Sequence, residues 1–178
     1  MFPDITRDEV FRLETRRFWL RWPVPADAQL IARVQAENAE PAGLCVFSSD
    51  AAGRLVEQWR ADNEAGRALH LTIVAKAEGR YPVGWVRIGP GCDDEAGLSV
   101  KVARDAASPD IAVEAAGAVL AMAILLGGPS SISLRPLSGE IRQAVAALGY
   151  GQMGRRVAPA ALLSTGVLPC PPLERGAT

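Results

Sequence analysis

The sequence contains little cysteine and a single histidine. Its three cysteines, Cys45, Cys92 and Cys170, are odd in number, lie far apart and form no CxxC pair. A disulfide framework is therefore not expected, and neither is a zinc site. His70 alone excludes a histidine-rich centre, so we expect no metal. This use of cysteine is typical of a reducing compartment, and we expect a cytoplasmic protein.

An excess of charge of either sign is also missing. The chain has 19 Lys and Arg residues against 20 Asp and Glu residues, which gives a formal net charge of −1 at pH 7. This balance creates no field that would hold nucleic acid or an anionic membrane surface. We therefore expect neither nucleic acid nor a membrane as a partner.

The sequence has no hydrophobic run that is long enough for a membrane span. Its longest nearly uncharged stretch, residues 111–128, includes Glu114 and is shorter than the roughly 20 apolar residues that a bilayer requires. The first residues, MFPDITRDEVF, are charged and lack the apolar centre of a signal peptide. A buried helix is the better interpretation of residues 111–128.

The composition that remains is that of a folded domain. The chain has 178 residues, of which 49% are hydrophobic and 22% charged. These values are near the globular averages, and the length allows one domain with a sizeable core. We expect a single domain over residues 1–168. The last residues, 169–178, contain PCPP and a charged end and are expected to be a flexible tail.

The spacing of apolar residues predicts an alternation of strands and helices. Three successive central strands with short turns between them predict an antiparallel meander, and the strand that follows the long helix should be parallel to the third. Residues 44–48 are ambiguous. The predicted helices cover residues 6–15, 26–37, 51–65, 111–126 and 138–148, and the predicted strands cover residues 16–22, 68–77, 82–88, 97–103, 131–134 and 152–157.

Capping residues support several of these helix boundaries. Thr6 with Glu9 forms a capping box at the start of the first helix. Ser49 or Asp50 could cap the helix over residues 51–65, which Gly66 would end. Ser138 could cap the last helix, and Gly149 would end it.

Three segments of the chain resemble the GNAT superfamily of acyl-CoA-dependent N-acetyltransferases. Residues 13–32, LETRRFWLRWPVPADAQLIA, look like the opening strand and helix of the branch that includes ribosomal-protein acetyltransferases. Residues 81–89, YPVGWVRIG, are similar to the central strand after a hairpin turn. Residues 141–156, IRQAVAALGYGQMGRR, resemble the late helix, its Leu-Gly-aromatic stop and the strand after it. The resemblance covers roughly residues 16–157.

This resemblance implies a fold and a reaction. The fold is α/β: a mixed, twisted sheet with helices on both faces. The implied function is acetyl transfer from acetyl-CoA to an unidentified amine, on a small molecule or a peptide. The cofactor would lie along the third central strand and contact backbone groups of Val100 and Val102.

The family's pyrophosphate loop has the pattern Q/R-x-x-G-x-G/A, and it falls here on residues 105–110, DAASPD. The alignment is anchored by the helix start that follows, in which Ile111 and Ala112 would be cofactor contacts and Glu114 and Ala115 also match. The loop departs from the pattern. Asp105 replaces the Gln or Arg, Ser108 and Asp110 replace the glycines, and Pro109 between them has no N–H to donate.

The cap of this helix has two possible arrangements. Asp110 could cap it with its own carboxylate, or Ser108 could cap it with Pro109 as the first helical residue. Either arrangement places the negative charge of Asp110 where a phosphate would sit. Ser108 and Asp110 are therefore candidate cofactor contacts at an altered phosphate site.

Catalytic residues cannot be assigned from the sequence. The late helix has no Tyr to act as the family's general acid, and Tyr150 matches an aromatic packing position instead. Ser138 and Ile141 stand where the family often has Asn and Ser. An acid in the loop before the third central strand could be a general base, although three acids in a loop usually form a solvated face. These acids are Asp93, Asp94 and Glu95.

Several other residues have a structural and a functional interpretation. His70 is expected to be a structural residue, hydrogen-bonded or exposed. Trp85 and Arg87 share a strand face, where core packing is favoured over substrate contact. Tryptophans of the core or of an interface are compatible with a homodimer. The basic cluster of the first segment is expected to be solvated surface balanced by Glu9 and Glu14; it comprises Arg12, Arg16, Arg17 and Arg21.

Two functions therefore remain. The leading one is an active N-acetyltransferase with a degenerate pyrophosphate loop. The alternative is a catalytically inactive GNAT-fold module that binds a ligand or another protein, which the altered loop and the missing Tyr favour.

Overall fold

An eight-stranded mixed sheet forms the centre of the computed structural model. The structure describes residues 11–37, 48–77, 81–90, 96–106, 108–126, 132–134 and 136–148, and the backbone of 152–153 and 156–157. The strands are β1 (Arg12–Glu14), β2 (Phe18–Arg21), β3 (Leu69–Ala75), β4 (Pro82–Pro90), β5 (Ala96–Val102), β6 (Ile132–Ser133), β7 (Gln152–Met153) and β8 (Arg156–Val157). Their order is β1-β2-β3-β4-β5-β6-β8-β7.

The pairing in this sheet is antiparallel everywhere except between β5 and β6. β3, β4 and β5 form the predicted meander, and β6 is parallel to β5, as expected for a strand that is reached across a helix. The helices are α1 (Ala28–Glu37), α2 (Ser49–Glu64), α3 (Pro109–Leu125) and α4 (Gly139–Ala147). Two short 3-10 turns, Pro25–Asp27 and Arg104–Ala106, precede α1 and α3.

The two faces of the sheet bury separate apolar clusters. On one face, the cross-strand neighbours Leu71, Val86 and Val100 pack in the cluster that also contains the buried sides of α3 and α4. On the other face, Trp85 packs with α1 and α2. This division follows from the alternation of side chains along a strand. Helices cover both faces of a mixed sheet, so the expected α/β architecture is confirmed.

A buried carboxylate joins the opening strands to α1. Asp27 is 1% exposed, and both of its oxygens accept hydrogen bonds from the Arg21 guanidinium, at 2.8 and 2.9 Å. The Thr72 hydroxyl donates to Asp27 Oδ2 at 2.8 Å, and the Val24 N–H donates to the same oxygen at 3.0 Å. With these donors the buried charge is paired and hydrogen-bonded, which is the condition for keeping it in an apolar layer.

The structure tests three of the predicted helix boundaries. Ser48 is the N-cap of α2 and accepts from the Ala51 N–H at 3.2 Å, so the prediction of Ser49 or Asp50 as the cap was wrong by one or two residues. Gly66 ends α2 with φ of 63°, a conformation that favours glycine, as predicted. Ser138 caps α4 and accepts from the Ile141 N–H at 3.4 Å, as predicted.

The first predicted helix, over residues 6–15, was wrong where the structure can test it. Arg12–Glu14 is a strand that pairs antiparallel with β2, in the register Leu13 with Leu20. The turn between these strands is closed by Thr15, whose hydroxyl donates to the Phe18 carbonyl and accepts from the Phe18 N–H, both at 3.0 Å. Strand pairing and this turn outweigh the weak helical pattern of a short segment. The Thr6–Glu9 capping box lies outside the described residues.

The predicted final strand over residues 152–157 is divided. Gln152–Met153 and Arg156–Val157 are two short strands that pair antiparallel with each other. Other predictions fall outside the described residues: the ambiguous segment 44–47, Gly149 as a helix end and the tail 169–178. Among the helices that the structure describes, none has the length and apolar character needed to cross a membrane.

Replacement of Asp27 by Asn should destabilise the fold strongly. The amide side chain would remove the charge that neutralises Arg21 and would leave buried donors poorly matched. We expect the free energy of unfolding to fall by about 3 kcal/mol, in the range for broken buried pairs. Chemical denaturation measures it. Glu57→Gln, at an exposed position of α2, is the matched control and should change stability by less than about 0.5 kcal/mol. An equal effect of both variants would contradict the role of Asp27.

His70 should make stability depend on pH. Burial lowers its pKa from 6.5 to about 4, with help from the Arg87 charge and against the opposing Asp62. The pKa of His70 is lower in the folded protein than in the unfolded one. Protonation of His70 therefore leaves the free energy of unfolding unchanged above pH 6.5 and lowers it progressively as the pH falls from 6.5 to about 4. The loss at pH 4 is about 3 kcal/mol. Denaturation of wild type and of His70→Phe at pH 7 and pH 4 isolates the effect of His70, because the carboxylates titrate in the same way in both proteins. Parallel pH profiles would contradict this assignment.

Candidate functional site

The sheet opens between β5 and β6, and this opening is the candidate site. β5 pairs with β4 along its whole length, from Ala96 to Val102. It pairs with β6 only through Ala96 and Gly97. Among the described residues, the edge of β5 from Leu98 to Val102 therefore faces no other strand. We call this segment the open edge.

Backbone groups of the open edge point outward at alternate residues. The Ala103 N–H donates to the Val83 carbonyl at 2.8 Å, which continues the β4–β5 ladder beyond β5. Residues of an antiparallel strand alternate between those that bond the partner strand and those whose N–H and C=O point away from it. By this alternation Leu98, Val100 and Val102 turn their N–H and C=O groups away from β4, and Val100 and Val102 lie farthest beyond the pairing with β6.

The strand contacts that hold the open edge in place depend on a glycine. Gly84 of β4 pairs with Val102. A Cβ atom at position 84 would lie 2.3 Å from the Lys101 carbonyl oxygen, closer than real atoms approach. A side chain at this position would push β4 and β5 apart, so the close approach of the two strands requires glycine here.

The start of α3 does not have the form of a glycine-rich phosphate loop. Ser108 is the N-cap, with φ −129° and ψ 131°, and its side chain makes no capping hydrogen bond. Pro109 is the first helical residue and Asp110 lies in the first turn. Of the two predicted arrangements, the one with Ser108 at the cap is therefore confirmed, and Asp110 as the cap was wrong. Pro109 supplies no donor, and the Ile111 N–H donates to the Ser108 carbonyl at 3.0 Å.

An arginine from the turn between β1 and β2 binds the start of α3. Arg17 donates from its backbone N–H to Glu114 Oε1 at 2.8 Å and from Nε to Glu114 Oε2 at 2.7 Å. Its Nη2 donates to the Asp110 carbonyl at 3.2 Å. Burial opposes the charge of Glu114, but the neighbouring polar groups, Thr15 and the Arg17 donors, outweigh it and hold the pKa of Glu114 below its ordinary value. Glu114 is therefore ionised at neutral pH.

The turn before α3 is bound to the C-terminal half of α1. Arg33 Nη1 lies 2.9 Å from Asp105 Oδ2. The Arg104 N–H donates to Glu37 Oε2 at 2.7 Å. Asp105 stands where the family pattern has Gln or Arg, and its charge is directed at α1.

The predicted cofactor contacts fall into two groups at this site. Val100 and Ala112 are buried, Val102, Ser108 and Ile111 are half-buried, and Asp110 is exposed. Val100 and Val102 lie on the open edge. The other four residues lie at the start of α3, beyond the Arg104–Ala106 turn. The candidate bases Asp93, Asp94 and Glu95, and Tyr150, lie outside the described residues.

His70 and Trp85 belong to a buried aromatic stack. The His70 ring stacks on Trp59 at a centroid distance of 4.9 Å, and Trp59 meets Trp85 edge-on at 5.3 Å. The expectation that His70 is hydrogen-bonded or exposed was wrong: it is buried at 2% exposure, and its ring nitrogens have no hydrogen-bond partner among the described residues. Trp85 packs in the core, which was the favoured interpretation. Arg87 is half-buried and donates to the Pro90 carbonyl at 3.3 Å.

The interpretation of the basic cluster as solvated surface was wrong for two of its members. Arg17 binds Glu114 and Arg21 binds Asp27. These partners lie far along the chain or in another element, so no local pattern indicated them. In the part of the chain that the structure describes, no group of three or more His, Cys, Asp or Glu side chains could hold a metal ion.

Comparison with known proteins identifies the architecture. No family model matches the sequence, and no curated protein matches it either. Solved structures do match. The ribosomal-protein-S5-alanine acetyltransferase of Vibrio fischeri superposes with a TM-score of 0.64 at 15% identity, over 81% of this chain and 85% of that one. The RimJ protein of Mycobacterium smegmatis, solved with CoA-disulfide, has a TM-score of 0.60 at 22% identity, over 77% and 71% of the two chains.

The chain has the GNAT fold. Microcin C7 self-immunity acetyltransferase MccE, solved with acetyl-CoA and AMP, gives a TM-score of 0.57 at 14% identity, over 81% of this chain and 88% of that one. The resemblance that the three sequence segments indicated is therefore confirmed at the level of the fold. In this GNAT-fold chain the open edge lies between β5 and β6, and the start of α3 carries Pro109 and Asp110.

Replacement of Glu114 by Gln should weaken the contact between α3 and the turn that joins β1 to β2. The variant keeps the shape but loses charge-assisted hydrogen bonds, so we expect a loss of about 1–3 kcal/mol in the free energy of unfolding at pH 7. Because the pKa of Glu114 is lowered in the fold, its contribution is present above the ordinary value of 4.5 and is lost as the pH falls through the folded pKa. Denaturation at pH 7 and at pH 3 measures both effects. Glu64→Gln, at an exposed position of α2, is the control. A wild-type advantage that is as large at pH 3 as at pH 7 would contradict this account.

Proposed function

We propose that the protein binds an acyl-CoA at the open edge and transfers the acyl group to an amine of a small molecule or a peptide. One observation carries this proposal: Val100 and Val102 direct their backbone N–H and C=O groups into the opening between β5 and β6. The pantetheine arm of CoA contains two amides. An extended chain with amides can bond a free strand edge as an added strand would. RimJ and MccE, which share the fold, were solved with CoA-disulfide and with acetyl-CoA respectively.

The two ends of the cofactor fit this chain unequally. The pantetheine arm fits the open edge. The pyrophosphate fits the start of α3 poorly, because Pro109 offers no donor and the exposed Asp110 carboxylate repels a second anion there. Ser108 is half-buried and remains available for contact with the cofactor, whereas the Ala112 side chain is buried in the core. We therefore expect most of the affinity to come from the pantetheine arm and little from the phosphates.

The chemistry of the bound cofactor would be that of a thioester. Acetyl-CoA supplies an activated acetyl carbonyl to an amine, and the thiolate of CoA leaves. The part of this chain beside the opening would orient the amide groups of the arm and exclude water from one side, since Val100 is 8% exposed. No proton acceptor is assigned: Asp93, Asp94 and Glu95 are the candidates that the sequence offers, although three acids in a loop usually form a solvated face.

A second candidate is a ligand-binding or protein-interaction module without catalysis. The start of α3 favours this candidate, because Asp110 lies in the first turn of the helix and Asp105 pairs with Arg33. A protein of this kind would keep the GNAT fold and lack the acyl-CoA cofactor.

Calorimetric titration with acetyl-CoA separates the two candidates. For an acyltransferase we expect wild type to bind acetyl-CoA with a dissociation constant below the millimolar range. The double variant Pro109→Lys with Asp110→Gly should bind about tenfold more tightly, because it removes the repulsion and adds a cation. Asp50→Gly, in the first turn of α2, is the matched control and should leave the affinity unchanged.

Each outcome favours one candidate. Binding by wild type, followed by release of free thiol from acetyl-CoA with a panel of amines and N-terminal peptides, supports the acyltransferase. No binding by wild type at millimolar cofactor, with binding recovered in the double variant, supports the module and locates the defect in the loop. No binding by either protein contradicts any use of the open edge for CoA.

A further inference from the structure

A pocket of about 540 Å³ opens between α1 and the start of β4. Two of its lining residues, Asp105 and Ala106, belong to the altered phosphate loop of residues 105–110, but none of them lies on the open edge. It lies within the size range of small-molecule sites. The lining residues that decide its chemistry are Gln29, Leu30, Arg33, Tyr81, Val83 and Asp105.

The walls of the pocket combine polar and apolar surface in similar amounts and include an aromatic ring at an exposed position. Leu30 and Val83 are buried at 7% and 2% exposure and contribute carbon surface. Tyr81 is 52% exposed although it is a large ring beside a cavity. An exposed ring next to apolar walls offers a stacking surface for a flat, apolar molecule.

The polar groups of the pocket are concentrated on one side. Gln29 and Arg33 lie one turn apart on α1, and Asp105 faces Arg33 from the turn before α3. The Arg33–Asp105 pair is well formed, at 2.9 Å, but its side chains are 46% and 65% exposed. Exposed ion pairs contribute little to stability, so exchanging one carboxylate for another at Arg33 costs little.

Arg33 is the group in the pocket that a ligand carboxylate could bind in place of a carboxylate of the protein. Among the described residues that line the pocket, Arg33 is the one cationic side chain. Its guanidinium attracts two carboxylates of the protein, Asp105 at 2.9 Å and Glu37 at 4.0 Å. A planar guanidinium binds carboxylates through parallel hydrogen bonds. The Asp105 carboxylate therefore occupies the place that a ligand carboxylate would take.

We propose that this pocket binds a small aromatic carboxylate. The carboxylate pairs with Arg33 in exchange for Asp105, and the ring lies against Tyr81 and the apolar wall formed by Leu30 and Val83. Because Asp105 competes for Arg33, its removal increases the affinity. This sign separates the proposal from the opposite one, in which Asp105 holds a ligand amine.

Benzoate and benzylamine serve as matched probes, and chemical-shift titration measures their affinities. We expect wild type to bind benzoate more tightly than benzylamine. Asp105→Asn should tighten benzoate about threefold, and Arg33→Gln should weaken it about tenfold. Tyr81→Ala should also weaken it. Arg54→Gln, at an exposed arginine of α2, is the control and should change nothing.

Three results would overturn the proposal. The first is tighter binding of benzylamine, with weakening by Asp105→Asn. The second is no response to benzoate by either wild type or Asp105→Asn at probe concentrations well above millimolar. The third is displacement of bound benzoate by acetyl-CoA, which would make the pocket part of the cofactor site. The probes contain neither thioester nor phosphate, so a failure of the proposed acyltransferase function leaves these measurements unaffected.

Discussion

The position of α1 depends on one buried carboxylate. Asp27 lies at the entry to α1 and accepts hydrogen bonds from Arg21 on β2 and Thr72 on β3. A buried ion keeps its charge only while these donors stay in place, so the geometry is narrowly determined. The direction of α1 then sets where Arg33 and Glu37 meet the turn before α3. The shape of the loop at the candidate site thus depends on a charge pair at the opposite end of α1.

The central part of the fold was predictable because its patterns are local. The β-branched residues of β3 and the alternation along β4 are patterns typical of strands. The long apolar segment of α3 is typical of a buried helix. The segment around Leu13 was not predictable in this way. Its few apolar residues fit a helix as well as a strand, and the choice depends on pairing with Leu20 across the Thr15 turn.

The candidate site was predictable only in part, for a related physical reason. Val100 and Val102 follow from the resemblance, and the loop's lack of glycines is visible in the sequence itself. The ion pairs that shape the loop are not visible there. Arg17 and Glu114 are 97 residues apart, and Arg33 and Asp105 are 72 residues apart. Charged residues of this kind look like ordinary surface until the fold brings them together. For this reason Arg17 and Arg33 were missed.

The outermost strand of the sheet affects how the molecule behaves in a crowded solution. β1 is only three residues long, and its Arg12 and Glu14 side chains are exposed on either side of Leu13. The Arg12 guanidinium also lies over the Trp19 ring, at 5.2 Å from its centroid. A short edge that carries charges is a poor template for strands of other chains. The β1 edge is therefore a poor site for sheet extension, whereas the exposed side chains of Leu125 and Leu126 at the end of α3 and Leu148 at the end of α4 are apolar surfaces where self-association would begin.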